Sequence, residues 1–362
     1  MSAGLPAKRI RRRIVRPAPN DTPPPAAERP TGERDERAAP SFRSRPGWTV
    51  IAGKEFADHL HSARMVVLLL LLGVVAFVPL LFASAQISSQ ASGASQTPAV
   101  FLFLFTLGPE QVPFLSAATF IGLVGPLLGV AFSFDAVNGE RAEGTLPRLL
   151  SQPIHRDDVV NGKFAAGLGV IMLVLVAVVG LVSGIGLLRL GIVSTAEELI
   201  RLLAWLVLTV AYVSAWLAFG LLLSVLIRRA ATSALIGLGV WILLTVFGPA
   251  IVSVFSDALG VSTASDEAFL SSTRLQELIT RIVPFNLYQE ASLVLLNPQV
   301  TDISTPGTVG QFIQAQQRMP GTLLSFDQSL LLIWPHFVVL VAATVVCFAL
   351  AYVAFMRQEV RA

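Results

Sequence analysis

"FDAVNGERAEGTLPRLLSQPIHRDDVVNGK", residues 134–163, carries nine formal charges: Asp135, Glu140, Arg141, Glu143, Arg148, Arg156, Asp157, Asp158 and Lys163. Apolar runs flank it at 114–134 and 164–188, and neither contains Asp, Glu, Lys or Arg. Each run is about as long as the ~20 residues a helix needs to cross a bilayer. The stretch therefore reads as a charged connection between two membrane helices.

The rest of the chain agrees. It has 362 residues, 54% apolar and only 14% charged, where a soluble domain carries about 25% charged residues. The mean hydropathy is +0.70. Four more apolar runs of crossing length lie at 65–87, 202–227, 232–254 and 330–356. Lipid offers no partners to backbone N–H and C=O groups, so such runs must be helices. The expected fold is an all-α integral membrane protein with six transmembrane helices within 65–356. The first run is too long, and too far from the start, for a cleaved signal peptide. The single cysteine, Cys347, excludes an intramolecular disulfide.

Basic residues set the orientation. With the N-terminus cytoplasmic, 21 of the 26 Lys and Arg side chains fall on the inner side, as the positive-inside rule requires. The expectation is a plasma-membrane protein with both termini cytoplasmic, residues 357–362 forming a short inner tail. Residues 1–47 are rich in Pro, Arg and Ala and read as a disordered cytoplasmic tail. Its basic cluster, Lys8 to Arg16, is either a solvated topology signal or a contact for anionic lipid head groups. Residues 48–64 place Trp48, Ile51, Ala52, Phe56, Leu60 and Ala63 at helical spacing, with Lys54, Asp58, His61 and Arg64 mainly opposite. That pattern predicts an amphipathic helix, lying in the membrane interface or simply leading into the first span. Outside, residues 88–113 begin as a flexible Ser/Gln/Ala loop. Residues 255–329 contain two helical patterns, read as short helices on the outer membrane face or as a small cap.

Within the charged stretch, Asp135 sits at the water boundary. Glu140, Arg141 and Glu143 lie close enough to pair with one another or with neighbouring helix ends. Gly144 breaks that turn. Thr145 is a good N-cap and Pro147 a good first-turn residue for a new short helix. Leu146, Leu149 and Leu150 share one side of it, and Pro153 ends it. Asp157 or Asp158 suits the N-terminus of the third span, with Arg156 and Lys163 at its base. The result is a capped amphipathic helix between charged ends, a shape that a cytoplasmic partner can grip.

The pattern D-x4-E-R-x2-G-T-L-x2-L-L-S-x-P-I-x-R-x6-K, Asp135 through Lys163, resembles the signature region of type-2 ABC transporter permeases (ABC-2). It is most similar to the subgroup of the nitrous-oxide reductase maturation and gliding-associated permeases. Residues 48–64, with Lys54 to Phe56, resemble that family's N-terminal interfacial helix. The resemblance covers roughly 48–356. It implies a permease subunit, with export the expected direction, whose loop 135–163 holds a coupling helix docking on a separate ATP-binding subunit. On that reading Leu146 to Gln152 dock, Glu140, Arg141 and Glu143 pass motion to the second span, and Arg156 to Lys163 anchor the third. Gly144, Thr145, Leu146, Leu149, Leu150 and Pro153 complete the docking set. A second permease copy or sister permease, membrane lipids and an extracytoplasmic protein are further expected partners. Nucleic acid is not.

The chain itself lacks a phosphate-cradling G-x4-G-K-[ST] loop. "NGKF" at 161–164 misses both the first Gly and the Ser/Thr. ATP and magnesium are therefore expected on the partner, with no catalytic, cofactor or metal site here. The spans hold no charge away from their ends, which argues against an ion-driven transporter. His59 and His61 point apart on a helix and make a poor metal site. His336 reads as a helix-end side chain snorkelling to the interface. Thr209, Tyr212, Ser214 and Thr245 are mild polar positions within spans. The competing function is a membrane scaffold that binds a cytosolic protein through the same loop without an ATP cycle.

Overall fold

The computed structural model describes residues 46–89, 99–108, 116–145, 155–191, 193–248, 250–251, 254, 280–298 and 324–358. Its regular elements are all helices: α1 (Gly47–Leu60), α2 (Ala63–Ser89), α3 (Phe103–Thr106), α4 (Ala117–Ala131), α5 (Asn138–Ala142), α6 (Arg156–Leu190), α7 (Ala196–Leu226), α8 (Ala230–Thr245), α9 (Pro284–Leu296) and α10 (Phe326–Met356). Among these, α2, α6, α7 and α10 are long and apolar enough to cross a membrane. Helices α4 and α8 are apolar but have only 15 and 16 residues. At 1.5 Å per residue they span about 22–24 Å, short of the ~30 Å hydrocarbon core. The six expected runs thus become four full-length helices and two shorter ones.

Helix α7 is the centre of the bundle. Its apolar window is 67% buried, against 11% for α10, and it packs against α4, α6, α9 and α10. Trp205, Leu208, Tyr212, Val213 and Leu217 line its core faces. A close backbone approach lies at Gly129 of α4, where a Cβ would sit 2.7 Å from Leu217 N and 2.8 Å from Val213 O. Only a residue without a side chain lets those two backbones meet. The outward faces of α2 and α10 expose Val66, Leu70, Val74, Leu331, Val345 and Val346, as expected where lipid replaces water as solvent.

Helix termini follow sequence-coded caps. Thr195 Oγ1 accepts from Glu198 N, and Glu198 Oε2 accepts from Thr195 N at 2.7 Å, closing a capping box at the start of α7. The other oxygen of Glu198 accepts from Phe101 N at 2.9 Å, so the same cap holds the turn before α3. Ser325 and Gln328 form the equivalent box at α10. Arg201, one turn into α7, is buried and reaches Ser329 Oγ at 3.0 Å and Leu324 O at 2.6 Å.

The segment 255–329, read as short helices on the outer face or as a small cap, contributes one complete helix to the described residues. Helix α9, from within 255–329, is inserted in the bundle against α4, α7 and α10. Leu287, Tyr288, Glu290, Ala291, Ser292 and Val294 are all buried. Tyr288 stacks on Tyr212 at 4.6 Å between centroids, and Trp205 Nε1 donates to Ser292 Oγ at 3.0 Å. Tyr212 donates to Gly122 O, closing a contact between α7 and α4, while Thr209 donates back to Trp205 O within α7. The tail 1–45, residues 255–279 and 299–323, and residues 146–154, with Leu146, Leu149, Leu150 and Pro153, lie outside the described residues.

Candidate functional site

At the end of the bundle carrying the charged stretch, α1, α5 and the first turns of α6 meet. Lys163 is the centre of the joint. Its ammonium lies 3.1 Å from Glu55 of α1 and 2.7 Å from Glu140 of α5, and its side chain is only 4% exposed. Two acids around one buried base satisfy the charge that burial would otherwise penalise. Arg64, at the start of α2, pairs with Asp135 and lies over the Phe134 ring at 5.0 Å. These groups, with Lys54, Asp58, His59, Glu143 and Thr145, line a cavity of about 530 Å³.

Helix α1 is fastened to α6 along its length. Trp48 N donates to Asp158 Oδ1 at 3.1 Å, while Asp158 Oδ2 accepts from His155 N at 3.2 Å. Of the two acids expected at this helix start, Asp158 is the one that caps. Gly162 lets α1 settle onto α6: a Cβ there would fall 2.7 Å from Ile51 Cβ and 2.9 Å from Trp48 O. His59 packs edge-on to Phe132 at 5.2 Å. Burial pushes its pKa below the ordinary 6.5, against the pull of Glu55 and with the push of Lys163. His61 faces elsewhere, its Nδ1 2.8 Å from Ala57 O.

Gly144 ends α5 as expected, at φ +70°. Gly144 N donates to Arg141 O and Thr145 N to Glu140 O, the two bonds of a Schellman stop. The Thr145 hydroxyl also turns back to Glu140 O at 3.2 Å. Thr145 therefore closes the helix before it, and the short helix it was expected to open lies outside the described residues. Arg141 finds helix ends rather than acids: it donates to Val225 O at 3.3 Å and to Gln358 Oε1. Burial, then nearby Arg228, lowers its pKa from the ordinary guanidinium value. Glu143 is exposed at the cavity rim. Arg156 donates to Gln358 O at 3.3 Å. Asn138 and Val137 donate their N–H groups to Ser224 Oγ, stitching the turn before α5 onto α7.

At the opposite end of the bundle a second charged cluster corrects the sequence reading. His336 is 3% exposed and does not snorkel. Its Nε2 lies 2.7 Å from Glu290 Oε2, which also accepts from Arg281 Nε at 3.0 Å. Helix α9 thus brings a carboxylate into the bundle, in addition to the buried Glu198 and Arg201 at the start of α7.

The profile of the ABC-2 family transporter proteins matches residues 49–360, from α1 to beyond α10. The chain belongs to the ABC-2 transporter family. It is also similar to two proteins named as probable ABC transporter permease protein NosY. The one from Stutzerimonas stutzeri is 30% identical over 199 residues, 53% of this chain and 64% of that protein. The one from Pseudomonas aeruginosa is 35% identical over 118 residues, 32% of this chain and 37% of that protein. The matched parts thus span less than two thirds of either relative.

In this ABC-2 chain the structure gathers Glu140 and Lys163 into an ion-paired joint and Arg141 and Arg156 into a hydrogen-bonded one around Gln358. Sequence reading missed Glu55, Ser224, Gln358 and Glu290. Glu55 sits inside the quoted Lys54–Phe56 match and carried a family signal. Gln358 and Glu290 carried none, since each meets its partners only across the fold.

Proposed function

We propose that this chain is the transmembrane permease subunit of an ABC transporter, with export as its direction. The reading takes six crossings, α4 and α8 completing theirs through the turns that extend them. Phe134 N donates to Val130 O, and Ile251 N to Phe247 O, so helical bonding continues beyond both helices. The charged end then faces the cytoplasm, and α1 lies along the interface with half-exposed Trp48 at head-group depth. A separate ATP-binding subunit, carrying ATP and magnesium, docks on loop 135–163 through Leu146, Leu149 and Leu150. A second copy or a sister permease completes the assembly.

The observation that carries this reading is the Lys163 joint. A docking loop transmits force only if its flanks are rigidly seated. Glu140 before the loop and Lys163 after it are bonded to each other and, through Glu55, to α1. Motion imposed on the loop then reaches α4, α6 and α1 together. The ABC-2 membership supports the same role, since permeases of this kind leave hydrolysis to their partner.

The test is co-purification of this chain with its cognate ABC ATPase in mild detergent, followed by ATP hydrolysis assays. The ATPase should be retained, and Leu149→Asp with Leu150→Asp should release it. Failure to retain an ATPase would move the scaffold reading to the front.

A further inference from the structure

The last membrane helix ends in the same joint that holds the charged loop, and one neutral side chain makes the connection. Gln358 follows the C-cap of α10. Its Oε1 accepts from Arg141 Nη2, and its Nε2 donates to Val225 O at 2.9 Å. Arg141 Nη1 reaches that same carbonyl at 3.3 Å. The three groups close a triangle at the C-terminal turn of α7. Orphan carbonyls there need donors, and the negative end of the helix dipole favours a cation. The backbone carbonyl of Gln358 also accepts from Arg156 on the far flank of the loop. Both flanks of loop 146–154 thus bond to one residue, more than 200 positions away in sequence.

The Gln358 amide is matched to this place. An acceptor alone would satisfy Arg141, and a donor alone would satisfy Val225 O; the amide supplies both. The Lys163 joint ties the loop to α1 and α6, and beside it Phe164 of α6 packs on Phe348 of α10 at 4.7 Å between ring centroids. Gln358 adds a hydrogen-bonded tie from both flanks of the loop to the end of α10.

We infer that Gln358 is a positioning residue for coupling: it seats Arg141 between α7 and α10, so that displacement of the docking loop is passed to the last membrane helix. This rests on the coupling role of loop 135–163 proposed above. Force enters at Arg141 and Arg156, and α10 moves with them because its end is held by side-chain and main-chain bonds at once.

The test uses the full chain in lipid nanodiscs with its co-purified ATPase. Gln358→Leu keeps the size and removes both side-chain bonds. Gln358→Glu keeps an acceptor for Arg141, while Arg141 Nη1 still serves Val225 O. Gln358→Leu should retain the ATPase in full and leave its KM for ATP unchanged. It should lower kcat by roughly three- to ten-fold, as expected for losing one or two net hydrogen bonds in the coupled step. Gln358→Glu should restore most of that loss. Amide exchange at 355–358 should quicken in Gln358→Leu alone. Wild-type kcat in Gln358→Leu, with the ATPase bound, overturns the assignment and leaves the coupling reading standing. Equal loss in both variants also overturns it, because the Arg141 contact would then not be what matters. If the wild-type chain retains no ATPase, the coupling reading falls and takes the assignment with it.

Discussion

Asp158 accepts the backbone N–H of Trp48 at 3.1 Å, although 110 residues separate them in the chain. Its second oxygen accepts from His155 N at the start of α6. One carboxylate thereby caps two helices and sets the angle at which α1 meets α6. Gly47 gives it room, since a Cβ there would lie 2.4 Å from that second oxygen. Losing one helix cap costs about 0.5–2 kcal/mol. Asp158→Ala should therefore lose more than a single-cap variant, roughly 1–3 kcal/mol, and quicken amide exchange at Trp48. Asp158→Asn, which keeps one acceptor oxygen, should fall between. Thermal unfolding in nanodiscs with exchange at Trp48 checks both; unchanged exchange in Asp158→Ala would refute the double cap.

Removal of Lys163 should be more damaging. Lys163→Met leaves Glu55 and Glu140, 15% and 19% exposed, without the cation between them. Breaking a buried pair from one side costs about 3–5 kcal/mol. Neutralising both acids in the same chain, as Glu55→Gln with Glu140→Gln, should recover much of that loss. A denaturation series across these variants reads the coupling directly, and purely additive losses would show that the three groups do not act as one joint.

Gly162→Val tests the seating of α1 by sterics alone. A side chain there meets Ile51 and the Trp48 carbonyl at under 3 Å, so α1 must lift from α6. Overpacking of this kind costs about 1–3 kcal/mol. Increased protease sensitivity within 47–60 is the expected signature, and wild-type resistance would refute it.

Acid should loosen the joint through His59. Burial lowers its folded pKa below the unfolded 6.5, so the folded chain prefers the neutral ring. The stability this supplies is fully present above about pH 6.5 and is lost as pH falls through the lowered folded value. Melting temperature measured between about pH 8 and 5 should decline at the acid end, and less steeply in His59→Gln. Parallel curves for the two proteins would exclude His59 as a contributor.

Glu290→Leu should destabilise the opposite end of the bundle. It strips His336 and Arg281 of their shared carboxylate, and a cost of about 3–5 kcal/mol is expected for a one-sided loss. Unfolding in nanodiscs should show the drop. A change below 1 kcal/mol would mean that this cluster does not hold α9 in place.

Much of this architecture is legible in the chain. Apolar runs without charge locate the four long helices, because lipid tolerates nothing else, although α6 and α7 begin eight and six residues before their runs. Gly144 acts locally, through backbone angle, as does Asp158 in capping its own helix, and local chemistry is what a sequence displays; the reach of Asp158 to Trp48 and the seating of Ile51 on Gly162 are not local. Thr145 has a role its local pattern did not announce: its N–H completes the Schellman stop at Gly144, while the helix it was read as opening lies outside the described residues. His336 and Glu290 mark the larger failure. They lie 46 residues apart on separate helices, and neither has periodicity or spacing to announce the other.

The sequence by itself determined that this protein is a bundle of membrane helices with one charged joint at its basic end, since bilayer thickness and charge distribution are one-dimensional properties. Only the tertiary structure decided that α9 is driven into the bundle, that Lys163 serves two acids and that Gln358 closes the loop onto α10. Those contacts join residues tens to hundreds of positions apart, and they exist only once helix packing has brought distant segments together.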